Sequence, residues 1–163
     1  GLAYIRDGEA FLGVLVISLL SDVLDGYFAR KLNQTSDLGA KLDSWGDMLT
    51  YGAMILGLYW IWPAVFSAQA GYLLATVLFF IAPIVMALRK FGEYPSYHTW
   101  GAKATAVLMA PAYYVLVLLD VDTFFRLVIL VHVVVSCEEM AITYILDRPR
   151  TNVRSVFSLR ARI

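Results

Sequence analysis

Charged residues fall in narrow bands along this chain, and long apolar stretches separate the bands. Gly1–Glu9 is polar, with Arg6, Asp7 and Glu9. An uncharged run then extends from Ala10 to Ser21, and apolar character continues past Asp22 and Asp25 to Phe28, ahead of Arg30 and Lys31. The polar link Leu32–Asp37 follows, where Ser36 or Asp37 can cap the next helix. Nothing charged occurs from Met48 to Leu88. That run is too long for one membrane span, which needs about 20 residues. WIWPAVFSAQAG, from Trp60 to Gly71, offers the break, with Pro63, Ser67, Gln69 and Gly71. Five spans result, at Ala10–Phe28, Leu38–Ile61, Ala70–Leu88, Ala102–Leu119 and Thr123–Leu146. Trp60 and Trp62 suit an interfacial aromatic belt. Arg89–Lys103 reads as a polar loop, and Asp120 and Asp122 mark a tight turn. Glu138 and Glu139 interrupt the last span.

The predicted fold is an all-α polytopic membrane bundle of five transmembrane helices around a polar cavity. It divides into a transmembrane domain, residues 1–147, and a basic tail, residues 148–163. The tail carries Arg148, Arg150, Arg154, Arg160 and Arg162, interleaved with Val153, Val156, Phe157 and Leu159. It reads either as a segment lying on an anionic membrane surface or as a frayed, solvated terminus.

Composition agrees with the spans. Hydrophobic residues make up 60% of the chain and charged ones 16%, against roughly half and a quarter in soluble domains. The formal net charge is zero, so no global attraction to nucleic acid is expected. Cys137 is the sole cysteine, which excludes an intrachain disulfide and reads as a small core or lipid-facing residue. No secretory signal is predicted, since the first apolar run carries aspartates and lacks a small-residue cleavage site.

Charge placement orients the spans. Alternating them puts all 13 Lys and Arg except Arg6 and Arg126 on one side. The positive-inside tendency makes that side cytoplasmic, with the amino terminus of this chain outside.

Asp22, Asp25, Asp43 and Asp47 then lie near the cytoplasmic surface. Carboxylates at the edge of apolar spans are costly unless they pair, face water or bind an ion. Asp22 and Asp25 are three apart and share one helix face; Asp43 and Asp47 are four apart and share a face of the next helix. Two such helices can enclose one divalent cation or a pair. Oxygen-only donors suit Mg2+, Mn2+ or Ca2+, and no His or Cys cluster argues for zinc. Paired cations of this kind hold both the attacking and the leaving oxygen of a phosphoryl transfer. Gly26, Ala29 and Gly39 are small enough to let a bulky substrate approach the backbone, although small residues in membrane helices also serve packing. Arg30 can contact a phosphate or act as an ordinary positive-inside residue. A cation transporter or channel would also use aspartates, but it leaves Gly26, Ala29, Arg30 and Gly39 unexplained.

The pattern Asp22-x2-Asp25-Gly26-x2-Ala29-Arg30-x8-Gly39-x3-Asp43-x3-Asp47 resembles the signature of the CDP-alcohol phosphotransferases at every fixed position. The resemblance implies transfer of the phosphatidyl group of CDP-diacylglycerol to the hydroxyl of a small polar alcohol, with release of CMP. It implies Asp22, Asp25, Asp43 and Asp47 as ligands of Mg2+ or Mn2+, as two ions, with Asp47 also the catalytic base. Asp22, Gly26, Ala29, Arg30 and Gly39 would form the CDP site. It further implies membrane lipids as surroundings, a homodimer, and a bacterial inner membrane with the site facing the cytoplasm. A catalytically inactive, CDP-lipid-binding member is the alternative within the family. Members usually have six transmembrane helices, with the signature across the second and third, so the first is expected to be missing from this chain.

For the acceptor, Arg89, Lys90 and Lys103 form a basic cluster suited to a phosphorylated alcohol, or else to topology and lipid headgroups. Glycerol 3-phosphate is favoured, with inositol phosphate or serine as alternatives. Phosphatidylglycerophosphate synthases often carry Gly-Lys-x-Lys-Thr here. This chain has Gly101-Ala102-Lys103-Ala104-Thr105, which weakens that assignment. His98 reads as a surface residue and His132 as a packed, hydrogen-bonded one. Either Glu138 or Glu139 is expected to face the polar cavity, where it would pair with Lys103 or meet an acceptor hydroxyl.

Overall fold

The structure is a computed structural model. It describes residues 7–32, 37–93, 97, 99–150 and 153–160, apart from the side chains at 23, 25–27, 29–30, 37–44, 47 and 160. The predicted loop residue His98 and the cap candidate Ser36 lie outside the described residues. Among the described residues six helices follow in order: α1 Gly8–Lys31, α2 Asp37–Ile61, α3 Pro63–Phe91, α4 Trp100–Leu119, α5 Asp122–Ile145 and the short α6 Phe157–Arg160. Among the described residues there is no strand. The all-α expectation therefore holds, and α3, α4 and α5 are each long and apolar enough to cross a membrane. The apolar part of α2 is shorter, Met48–Ile61. Most of the apolar surface of α3–α5 is not buried within the chain, as expected where lipid is the solvent.

The chain divides into two compact units, Gly1–Ala68 and Gln69–Ile163. In the first, α1 and α2 run antiparallel. Asp7 starts α1 by accepting a hydrogen bond from Ala10 N at 3.0 Å, as an N-cap carboxylate does. The helix thus begins two residues before Ala10. Phe11, Leu12 and Leu15 of α1 are buried, as are Met54 and Leu58 of α2. The Phe11 ring meets Trp62 edge-on at 6.3 Å. Gly8 lies so near Trp62 that an added β-carbon would stand 3.1 Å from its ring.

The break expected over Trp60–Gly71 is narrower than the sequence indicates. Only Trp62 separates α2 from α3, and the third helix starts at Pro63 rather than Ala70. Trp62 N still bonds Leu58 O and Phe66 N bonds Trp62 O. Proline at the first helical position lacks only an N–H that has no helical partner there. Ser67 donates its hydroxyl to Pro63 O at 2.9 Å, so a polar residue is accommodated without leaving the helix.

In the second unit α4 and α5 form an antiparallel hairpin. Their link, Asp120 and Val121, turns with Asp120 in the left-handed region at φ 54° and ψ 32°, a conformation aspartate tolerates. Near the far end, Gly101 of α4 packs on buried Val135 of α5. α3 runs parallel to α5 and is tied to it at both ends. At one, Arg126 Nε donates to Gln69 Oε1 at 3.0 Å and Arg126 pairs with Asp122. At the other, Lys90 Nζ donates to the carbonyls of Thr143 and Tyr144 at 3.0 and 2.7 Å. Between them His132 hydrogen-bonds the Thr76 backbone, the packed role expected of it, although its Nε2 is buried without a hydrogen-bond partner among the described residues.

The described part of the tail is folded. Val153 joins Tyr97, Ile142 and Leu146 in a buried cluster, and Phe91, Val156 and Leu159 pack against it. The frayed-terminus alternative is therefore wrong for residues 153–160. Val153 is buried, Val156 and Leu159 pack against the cluster, and Trp100 N donates to Arg154 O at 3.2 Å.

Candidate functional site

The four aspartates occupy the linked ends of the α1–α2 hairpin. Asp22 and Asp25 lie near the end of α1; Asp43 and Asp47 lie in the first half of α2. With about 3.6 residues per turn, each pair occupies one helix face. Both helices run unbroken through these positions. Lys31 and Leu32 close α1, where Leu32 N still bonds Phe28 O at 2.9 Å.

One described contact joins the two stretches. A β-carbon at Gly46 would stand 3.9 Å from Asp22 Oδ1. Gly46 lies between Asp43 and Asp47, so the Asp22 carboxylate meets α2 within the span that carries the other two acids. The side chains of Asp25, Arg30, Asp43 and Asp47 are outside the described residues, as are those at Gly26, Ala29 and Gly39 in the predicted CDP site. No cluster of three or more metal-binding side chains occurs among the described ones. The donor chemistry fits a divalent cation such as Mg2+: oxygen ligands only, from two helices, with one carboxylate already seated on the facing helix.

A second polar group lies in the other unit, where α3 ends, α4 begins and α5 ends. Arg89 and Lys90 occupy the last turn of α3, and Lys103 the first turn of α4. They are helical rather than loop residues, because α3 continues to Phe91 and Thr99 starts α4 by accepting from Ala102 N at 3.1 Å. Arg89 is exposed. Lys90 caps the carbonyl end of α5 with two of its three donors. Lys103 Nζ lies over the Trp100 ring at 5.5 Å. Glu138 Oε1 accepts from Ser155 Oγ at 2.7 Å and from Val156 N at 3.0 Å. Its described bonds thus hold the tail, and neither is to Lys103.

Tyr97 and Thr143 complete this group. Both are buried, and their hydroxyls are 2.7 Å apart. Thr143 Oγ1 also donates to Glu139 O at 3.0 Å. Burial raises the Tyr97 hydroxyl above its ordinary 10.0; the Thr143 bond lowers it in part, and the Glu139 charge raises it further.

Sequence reasoning did not single out Tyr97, Thr99 or Ser155, and it read Gln69 only as part of a break between spans. Thr99 carried a readable signal, a threonine directly before an apolar helical run. The others are defined by contacts with residues far along the chain, and no local pattern announces those.

The family model for CDP-alcohol phosphatidyltransferases matches residues 4–144. The chain belongs to the CDP-alcohol phosphatidyltransferase family. Three curated relatives of this family are similar over shorter stretches. The phosphatidylinositol phosphate synthase of Streptomyces avermitilis is 45% identical over 65 residues, 39% of this chain and 26% of that protein. The CDP-diacylglycerol–serine O-phosphatidyltransferase of Methanocaldococcus jannaschii is 46% identical over 39 residues, 24% of this chain and 19% of that protein. The CMP-forming cardiolipin synthase of Streptomyces coelicolor is 48% identical over 54 residues, 33% of this chain and 25% of that protein. The chain thus covers between 19% and 26% of the relatives' length. Their names specify different acceptors. No solved structure matches the chain. Its family and three membrane-length helices among the described residues point to an integral membrane protein.

Proposed function

We propose that this chain transfers the phosphatidyl group of CDP-diacylglycerol to the hydroxyl of a small polar alcohol and releases CMP. The observation that carries the reading is the Asp22 carboxylate seated against Gly46, between Asp43 and Asp47. It supports a convergence of the two acidic stretches, which the spacing alone leaves open. Family membership supports a transferase over a cation transporter.

Asp22, Asp25, Asp43 and Asp47 would hold Mg2+ or Mn2+, as two ions. The ions would supply positive charge against the pyrophosphate and at the reacting oxygens. Asp47 accepts the proton of the attacking hydroxyl as its oxygen bonds the phosphorus carrying the diacylglycerol. The bond from that phosphorus to the bridging oxygen breaks, and CMP leaves with that oxygen. Gly26, Ala29 and Gly39 leave room for the nucleotide, and Arg30 offers paired N–H donors to a phosphate.

On the acceptor side, Arg89 and Lys103 are exposed and available to a phosphorylated alcohol. Among the described residues Lys90 uses two donors and Glu138 one carboxylate oxygen, and the others are proposed to meet the acceptor. Glycerol 3-phosphate is the favoured acceptor, with inositol phosphate or serine next. The Lys and Arg distribution supports a site facing the cytoplasm, and a bacterial inner membrane is proposed on family resemblance. The homodimer is proposed on family resemblance.

The test is CMP release by purified protein from CDP-diacylglycerol with glycerol 3-phosphate, inositol phosphate, inositol or serine. Each is run with Mg2+, with Mn2+ and with chelator. Metal-dependent CMP release with one acceptor is expected, and its lipid product names the acceptor. CMP release unaffected by chelator would remove the metals; no CMP with any acceptor would remove the reaction.

A further inference from the structure

The folded tail has two faces. Val153, Val156 and Leu159 pack inward on the cluster around Tyr97 and Ile142. Arg154 and Phe157 alternate with them and point outward; Phe157 is 75% exposed. Arg154 O is bonded to Trp100 N, and Trp100 is itself 67% exposed. Lys103 Nζ stands over the Trp100 ring. Arg148 and Arg150, which lead into this segment, are exposed too. The exposed acids near this end of the unit, among the described residues, are Glu93 and Asp147. Cations and bare aromatic rings therefore dominate one continuous surface.

Its depth is fixed by chain geometry. The tail follows α5 directly, where that membrane-length helix ends. Glu138, inside α5, holds Ser155 and Val156, so the segment cannot extend into open water while that contact lasts. It lies where lipid headgroups are. A phenyl ring and an indole beside arginines match that layer: rings enter the acyl boundary while guanidinium groups meet phosphates.

We propose that the docked tail, with Trp100 and Lys103, is a binding surface for anionic phospholipid headgroups, Phe157 entering the acyl boundary beside Arg154. The surface uses none of the signature aspartates and does not depend on turnover. It differs from a general positive-inside effect because it needs the folded tail, which sets Arg154 and Phe157 on the side opposite Val153 and Val156.

Cys137 is the sole cysteine, so a Cys137→Ser, Phe157→Cys chain takes a single fluorescent label. The labelled full chain is reconstituted in vesicles containing brominated phosphatidylglycerol or, at equal mole fraction, brominated phosphatidylcholine. The expected result is severalfold stronger quenching by the anionic lipid, falling towards equality in high salt. Arg148→Gln, Arg150→Gln and Arg154→Gln together should remove the preference, since each basic residue near the surface contributes roughly fivefold. Equal quenching by both lipids in the chain with its arginines intact would overturn the proposal, whatever the variant does. So would a preference that survives loss of all three arginines. Label burial that appears only as protein density rises would overturn it too, and would assign the face to a second copy of the chain.

Discussion

Gly101 and Val135 approach so closely that a β-carbon on Gly101 would stand 2.5 Å from Val135 Cγ2. Nothing larger than hydrogen fits there unless the valine or the helix moves. Gly101→Ala is therefore expected to loosen the α4–α5 hairpin by about 1–3 kcal/mol, the usual cost of overpacking. Thermal unfolding in detergent would measure it. Val135→Ala in the same chain should recover part of the loss, because it removes the methyl groups that the new carbon meets.

The acids of the signature should separate by role. Asp47→Asn is expected to cut CMP release by about 10²–10⁴, the range for loss of a general base, in a protein that still folds. Asp22→Asn should instead raise the Mg2+ concentration needed for half-maximal activity. Turnover of Asp47→Asn close to that of the unsubstituted chain would take Asp47 out of the reaction.

Glu138 links α5 to the tail through Ser155 Oγ and Val156 N. Glu138→Ala leaves both donors without that partner, at a cost of about 1–3 kcal/mol. Trypsin should then cut after Arg154 faster, while Glu138→Gln, which keeps an acceptor oxygen, should be less affected. Cleavage at the same rate in all three chains would show that the apolar contacts hold the tail alone.

Gln69 is 2% exposed and receives Arg126 Nε on its amide oxygen. Arg126→Leu strands that oxygen and should destabilise the chain by about 1–3 kcal/mol. Adding Gln69→Leu should lessen the damage, because an apolar pair leaves no buried acceptor to desolvate. A double-mutant cycle on unfolding midpoints reads the coupling.

Tyr97 gives a pH dependence in the alkaline range. Burial, then the Glu139 charge, raise its hydroxyl above 10.0, against the lowering effect of Thr143. The folded chain thus keeps the proton after the unfolded chain has lost it. The contribution is whole below pH 10.0 and declines as pH rises from there through the raised value. Tyr97→Phe should remove that decline, seen in unfolding temperatures measured from about pH 9 to about pH 11.

Much of the fold was legible because apolar runs bounded by charge map onto membrane-length helices. The predicted ends of the fourth and fifth spans, Ala102–Leu119 and Thr123–Leu146, fall within two residues of α4 and α5. The third span was misjudged at its start. Pro63, Ser67 and Gln69 looked like a loop, yet proline opens the helix, Ser67 bonds back to Pro63 O, and Gln69 is buried against Arg126. Polarity alone cannot distinguish a loop from a helix whose polar groups have tertiary partners. The aspartate spacing was likewise readable, since it follows helical periodicity. The carboxylate of Asp22 against Gly46 was not, because it depends on how two helices meet. Nor was the tail contact, which joins Glu138 to Ser155 across 17 positions of chain.

The left-handed turn at Asp120 bears on how the protein is made. Only Asp120 and Val121 lie between α4 and α5, which leaves little chain for one helix to enter the bilayer without the other. A hairpin with so short a link is expected to insert as one piece, with Asp120, Asp122 and Arg126 at or next to its tip. The orientation of both helices is then decided in a single event.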